Sequence, residues 1–335
     1  MSSPGEIQAC ARRDFIRRTV KAAGAIAVTG ATGLWLHDRQ GPRAGANEKP
    51  VAFPDFSVPQ AGRKMSIVTG SDRTRSLRRA LEAVGGIGQF IKPGDRVVLK
   101  VNAAFASPAA LGATTHPELV SAMTQLCLRA GAASVSVTDN PINDPASCFA
   151  LTGIARAAES AGARVIVPAP GLFRPVTVPG ARLIKNWPAL FEPLRGATRL
   201  IGLAPVKDHH RSGASMTMKN WYGLLGGRRN VFHQDIHTII YELAMMVRPT
   251  LVVLDGISTM QSNGPTGGSL EDLKATNTLI VSTDQVAADA FGATLLGKTA
   301  ADLVFIAKAA AAGLGTSDYE SLKPARDHVQ GGPAA

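Results

Sequence analysis

Residues 199–233 read RLIGLAPVKDHHRSGASMTMKNWYGLLGGRRNVFH. A short apolar run, Leu200 to Val206, has the length and composition of a buried strand. Lys207, Asp208, His209, His210 and Arg211 follow it directly, and Lys219-Asn220 then opens a segment that closes on Gly226-Gly227. Arg228, Arg229 and His233 complete the stretch. A buried strand that discharges straight into ionisable residues is the pattern of an α/β sheet. In such sheets ligands sit in the crevice outside the carboxyl ends of the strands.

The chain on either side repeats that pattern. Upstream, Met65–Thr69 reads as a strand and 73–84 as a basic helix. Arg96 to Asn102 is a strand ending in Lys100 and Asn102. His116-Pro117-Glu118 then opens a helix with Leu119, Met123, Leu126 and Ala130 on one face. The strand 133–138 ends in Asp139-Asn140-Pro141, and a helix over 149–161 leads to a strand at 164–167. Downstream, Asp235 starts a helix, 251–254 is a strand ending in Asp255, and 279–282 is one ending near Asp284. Helices over 285–296 and 299–312 close the series.

Strand, helix, strand with connections of this length predicts an α/β fold. Its sheet is largely parallel with helices on both faces, and its site lies at the carboxyl ends of the strands. We expect one such domain over 65–315, an extended Pro-rich linker over 47–64, and a polar C-terminal tail over 316–335. Gly85-Gly86-Ile87-Gly88 follows a helix rather than a strand, which is the wrong geometry for a dinucleotide loop.

The net charge of +11 favours anionic partners, yet aromatics are only 5% of the 335 residues and no basic run is interleaved with them. We therefore expect no nucleic-acid partner. Cys10, Cys127 and Cys148 form no CxxC pair, so no cysteine-ligated iron–sulfur cluster is expected. Cys127 lies in an apolar helical pattern and reads as a core thiol, and a Cys127–Cys148 disulfide is left open.

The amino terminus reads as an address. Ala11-Arg12-Arg13-Asp14-Phe15-Ile16-Arg17 resembles the twin-arginine export signature, followed by a weakly apolar run, Val20 to Leu36, and a small-residue site at Ala44-Gly45-Ala46. The resemblance implies a signal peptide over 1–46, the twin-arginine translocation machinery as a partner, and a periplasmic or otherwise exported product. A redox partner protein travelling by the same route is a further expectation.

Lys207 and Lys219 are placed to grip a carboxylate or phosphate, with Arg228, Arg229 and Asn220 nearby. Lys100, Asn102, His116 and Asn140 join them as substrate-binding candidates at strand or helix ends. His209 and His233 are the proton-transfer candidates, with Lys219 as the third catalytic one. In an extended segment His209 and His210 point to opposite sides, and His209 shares a side with Lys207. The His233–His237 spacing suits two ligands on a helix, but Asp235 reads as an N-cap that leaves His233 outside it, so metal binding by this pair ranks second. Asp139, Asp255 and Asp284 offer oxygen ligands for a divalent metal, and serve equally as turn caps. There is no GxSxG elbow for a serine nucleophile.

Taken together, Lys100-Val101-Asn102, Thr115-His116-Pro117-Glu118, Asp139-Asn140-Pro141, Lys207-Asp208-His209, Lys219-Asn220 before Gly223, His233, Asp255-Gly256, Asn263-Gly264-Pro265 and Asp284 resemble the family called domain of unknown function 362. The resemblance covers 65–315 and implies its fold and its site. Some members of that family carry ferredoxin-like cysteine motifs, which this chain lacks. The expected activity is that of an enzyme on a small anionic ligand, with an exported binding or assembly protein as the alternative.

Overall fold

A computed structural model of the chain describes residues 4–36 and 49–330. It comprises two units, divided after Pro42. In the first, helix α1 runs from Pro4 to Leu36 and carries the paired arginines. No helix among the described residues is long and apolar enough to cross a membrane. The expected cleavage site at Ala44-Gly45-Ala46 lies outside the described residues.

The second unit is built on one eight-stranded sheet. In chain order its elements are β1 (Met65–Thr69), α2 (Arg73–Ala83), β2 (Arg96–Lys100), α3 (Pro117–Arg129), β3 (Ser134–Thr138), α4 (Pro145–Leu151), α5 (Ile154–Ser160) and β4 (Arg164–Ile166). A separate hairpin, β5 (Phe173–Val176) and β6 (Trp187–Leu190), precedes β7 (Arg199–Lys207). After it come α6 (Thr217–Asn220), α7 (Ile236–Met246), β8 (Leu251–Met260), β9 (Leu273–Ser282), α8 (Gln285–Leu295), α9 (Val304–Ala311) and β10 (Ala325–His328). The strand order is β10-β1-β9-β8-β7-β2-β3-β4.

Alternation along each strand divides the core between two faces. Val98, Leu200, Ala204 and Leu254 pack against α6 to α9, whereas Val97, Leu99, Ile201, Leu203 and Val253 pack against α2, α3 and α5. Strand β7 is buried on both faces from Leu200 to Lys207, which is why it reads as one uninterrupted apolar run.

Every neighbouring pair in the sheet is parallel except those of β9, which is antiparallel to both β1 and β8. Strands β8 and β9 are each ten residues long, so the apolar segments read from sequence are only parts of them. Ser282 pairs with Val252 and Met65, at the amino ends of their strands. Asp284 therefore emerges at the end of the strands opposite the crevice.

Three other boundaries differ from expectation. The described part of the expected extended linker, 49–64, is docked on the domain: Phe56 is buried, donates to Arg248 O and accepts from Thr250, and Val51 pairs beside Pro175. The 316–335 segment is no mere polar tail, because β10 adds an edge strand beside β1. Its polarity follows from that edge position, where one face meets solvent. The helix expected over 149–161 is two helices, broken where Gly153 turns left-handed at φ 74°.

Candidate functional site

Strand β7 carries its last residue, Lys207, into the interior rather than into solvent. Its Nζ donates to the carbonyls of Ala113 and Pro265 (the latter at 3.1 Å) and lies 5.1 Å from the centre of the Phe105 ring. The chain then turns, with Gly213 N–H bonding to His209 O, and returns so that Ser215 pairs with Lys207. Helix α6 follows and is held from two sides. Buried Asp289 of α8 accepts from Thr217 N (2.8 Å), Thr217 Oγ1 (2.5 Å) and Met218 N (3.1 Å). Buried Trp221 donates to Gln285 at 2.6 Å. These contacts fix Lys219, whose Nζ stands 5.2 Å above the Tyr222 ring.

Among the described residues neither Lys207 nor Lys219 has a carboxylate within ion-pair distance. Burial, together with the Lys219 charge, pushes Lys207 down to about 7. Burial and the Arg229 charge do the same to Lys219, also to about 7. Asp139 on the same chamber wall favours the charged form of Lys207 but is itself paired with Lys100, so two desolvated lysines make a local electrostatic demand for an anion.

The histidines form a stack. His209 and His210 lie with ring centres 5.0 Å apart, and His209 and His233 with centres 5.9 Å apart. The turn after β7, not an extended segment, sets these directions, so the two neighbours do not point to opposite sides. His209 Nδ1 accepts the backbone N–H groups of Arg211 (3.2 Å) and Ser212 (3.3 Å), which assigns the ring's proton to Nε2. Burial first, and the Lys219 charge second, press its pKa down to about 2, so it is a neutral donor. His233 is the complement. Its Nδ1 lies 3.2 Å from Asn230 O and 3.1 Å from the Tyr222 hydroxyl, whose own hydrogen goes to Arg229 O. Nδ1 therefore carries the proton and leaves the Nε2 lone pair unclaimed. Burial and Lys219 lower its pKa as well. His237 lies apart from them, stacked on Phe305.

Asn102, Asp139, Lys207, His209, Lys219, Asn220 and His233 line one chamber of about 80 Å³. Tyr222, Phe105 and Pro265 also line it, and none is a site candidate on sequence alone. Pro265 lies in the Asn-Gly-Pro motif, the one signal that pointed to it.

Several expected ligand-binding residues turn out to be scaffold. Lys100 is buried beneath the chamber, paired with Asp139 at 2.7 Å and bonded to Val101 O and Asn220 O. Asn220 spends its amide on Lys100 O and Leu203 O. Asn140 donates to Leu225 O and sits in an outer cleft rather than the chamber. Arg229 gives four hydrogen bonds to the carbonyls of Tyr222, Leu225, Asn140 and Pro141, so its charge is felt while both of its terminal nitrogens are occupied. His116 is not in the chamber: it caps α3, its Nδ1 accepting Glu118 N–H at 3.4 Å. The neighbouring Thr115 bridges Asn102 N–H and Leu203 O, which gives the Thr-His-Pro-Glu motif a structural meaning.

The carboxylates expected as metal ligands are dispersed. Asp139 holds Lys100 and the backbone of Ala103 and Asn140. Asp255 pairs with Arg73 at 2.8 Å, and Asp284 caps α8 at the opposite end of the strands. Antiparallel β9 is the physical reason that Asp284 cannot join the others. No group of three or more His, Cys, Asp or Glu among the described residues is arranged to hold a metal. Cys127 and Cys148 are buried free thiols.

The chain is similar in sequence to known proteins. It is 30% identical over 229 residues to a thylakoid-associated protein of Synechocystis sp., an alignment covering 64% of this chain and 67% of that one. A solved structure of the lactate racemase apoprotein from Thermoanaerobacterium thermosaccharolyticum aligns with 71% of this chain and 60% of its own, at 11% identity and a TM-score of 0.37. Residues 97–294, more than half of the chain, match the family described as Domain of unknown function (DUF362), and the chain belongs to that family.

Proposed function

We propose that this protein is an enzyme acting on a small anionic substrate, a carboxylate or phosphate, by lysine and histidine acid–base chemistry. One observation carries the reading: Lys207 and Lys219 are both buried at a single chamber, and neither has a carboxylate partner among the described residues. An anion between them supplies the missing counter-charge and favours both ammonium forms. Neutral His209 then offers its Nε2–H as a fixed donor to a second substrate oxygen. His233, neutral with an open Nε2, is the group suited to take a proton, and Lys219 is the group suited to return one. Tyr222 holds His233 in place at 3.1 Å. The same reading takes the paired Arg12 and Arg13 as an export address.

The test is calorimetric titration of the full chain with acetate and with inorganic phosphate, repeated on Lys219→Met. Binding in the parent and its loss in the variant, with a melting temperature unchanged or raised, is the expected result. The temperature holds or rises because the substitution removes an unpaired buried charge and keeps an apolar side chain of similar length. Unimpaired anion binding in the variant rejects the reading.

A further inference from the structure

We infer that the chamber is the inner half of a two-part site whose ligand has one anionic head and an apolar body; this rests on the anion-binding reading above. An outer cleft of about 720 Å³ adjoins the chamber, and Ile142, Tyr222, Arg229 and His233 line both. The cleft is nine times the larger of the two spaces. The chamber admits little more than a carboxylate or phosphate group. The cleft has the volume of an ordinary small-molecule site.

Four prolines (Pro141, Pro145, Pro168 and Pro170) and Phe173 stiffen its wall. Proline side chains offer contact area with no N–H to satisfy and little freedom to lose. Large apolar side chains also stand in water here. Ile142 is 63% exposed, and Val167 and Val231, each beside a lining residue, are 42% and 38% exposed. Ile142 lines both spaces, so an exposed apolar side chain stands where the chamber meets the cleft, as at a binding surface.

Arg229 is the one charged side chain on the wall of the cleft, and both of its terminal nitrogens donate to backbone carbonyls. Asn140 is likewise committed, to Leu225 O. Such a wall favours a body of hydrocarbon or aromatic character over a second anionic group.

Two matched pairs of ligands test this on the full chain: acetate against 4-phenylbutyrate, and inorganic phosphate against phenyl phosphate. The quantity read is the ratio of affinities within each pair, which general damage to the fold lowers for both members alike. A gain of about tenfold or more in one pair is expected from burying the phenyl body, and that pair identifies the head group. Phe173→Ser should cut the gain to less than about threefold. Ile142→Ser, on a mostly exposed side chain, should reduce it in the same direction without threatening the fold. No gain in either pair, while acetate or phosphate still binds, overturns the two-part site and leaves the anion chamber standing. A gain that survives both substitutions also overturns it. Failure of all four ligands to bind removes the anion-binding reading as well.

Discussion

Lys100, Lys207 and Lys219 are chemically identical side chains in three different electrostatic circumstances. Lys100 is neutralised by Asp139, Lys207 leans on carbonyl oxygens and an aromatic ring, and Lys219 has only a ring face. For the last two, burial brings the folded pKa from an ordinary 10.5 to about 7. Between those values the unfolded chain binds more protons, so their contribution to stability becomes less unfavourable as pH rises from 7 toward 10.5. Anion binding runs the other way, since it needs the ammonium forms. The expected outcome is an affinity for acetate or phosphate that falls steadily as pH rises from 7 to 9. Binding at pH 8 should be accompanied by proton uptake, seen as a dependence of calorimetric heat on the buffer's ionisation enthalpy. An affinity that is flat over this range, with no proton uptake, contradicts two titrating lysines at the site. None of this distinction was legible in the sequence, where Lys100 and Lys207 are alike as charged residues at the ends of apolar runs. What separates them is the partner across the sheet, and partners come from topology.

At the scale of elements the site depends on close backbone approach. Gly223 follows α6 where the chain passes over the Lys100–Asp139 pair, and a Cβ built there would lie 1.9 Å from Asp139 Oδ1 and 2.7 Å from Lys100 Nζ. Gly223→Ala must therefore separate a buried pair or displace the segment carrying Lys219 and Tyr222. A loss of about 3 kcal/mol or more is expected, read as a lowered denaturation midpoint in urea. A variant as stable as the parent would show that the backbone can retreat without cost. The glycine was legible in the Lys-Asn-x-x-Gly spacing, but its reason was not. The strands themselves were legible because apolar runs and period-two alternation survive into the fold. Strand direction was not, since alternation reads the same both ways along a chain. The antiparallel course of β9, and with it the place of Asp284 outside the crevice, is therefore absent from the pattern. Prolines likewise concealed β5 and β6, where Pro175 faces Pro188 in a two-stranded hairpin outside the main sheet.

At the scale of the whole molecule, the sheet separates what stabilises the fold from what binds. The site gathers at the ends of β7, β2 and β3, while β10 closes the other edge, four strand positions from β7 and roughly 19 Å away at ordinary strand spacing. Strand β1, buried along most of its length, is covered at that edge by β10 alone, through pairs from Ser66–Ala325 to Thr69–His328. Deleting residues 325–335 leaves the backbone of β1 unpaired and creates a new edge open to intermolecular pairing. Losing this short ladder should remove roughly 2–4 kcal/mol and lower the melting temperature by roughly 5–10 °C. The truncated protein should also aggregate more readily on heating. Its affinity for acetate or phosphate, measured well below the melting transition, should nevertheless match the parent's, because no contact of β10 reaches Lys207, Lys219 or the histidine stack. A truncated chain that stays folded yet loses anion binding would mean that the two edges are coupled through the sheet, and that the chamber is not preorganised by β7, α6 and α8 alone.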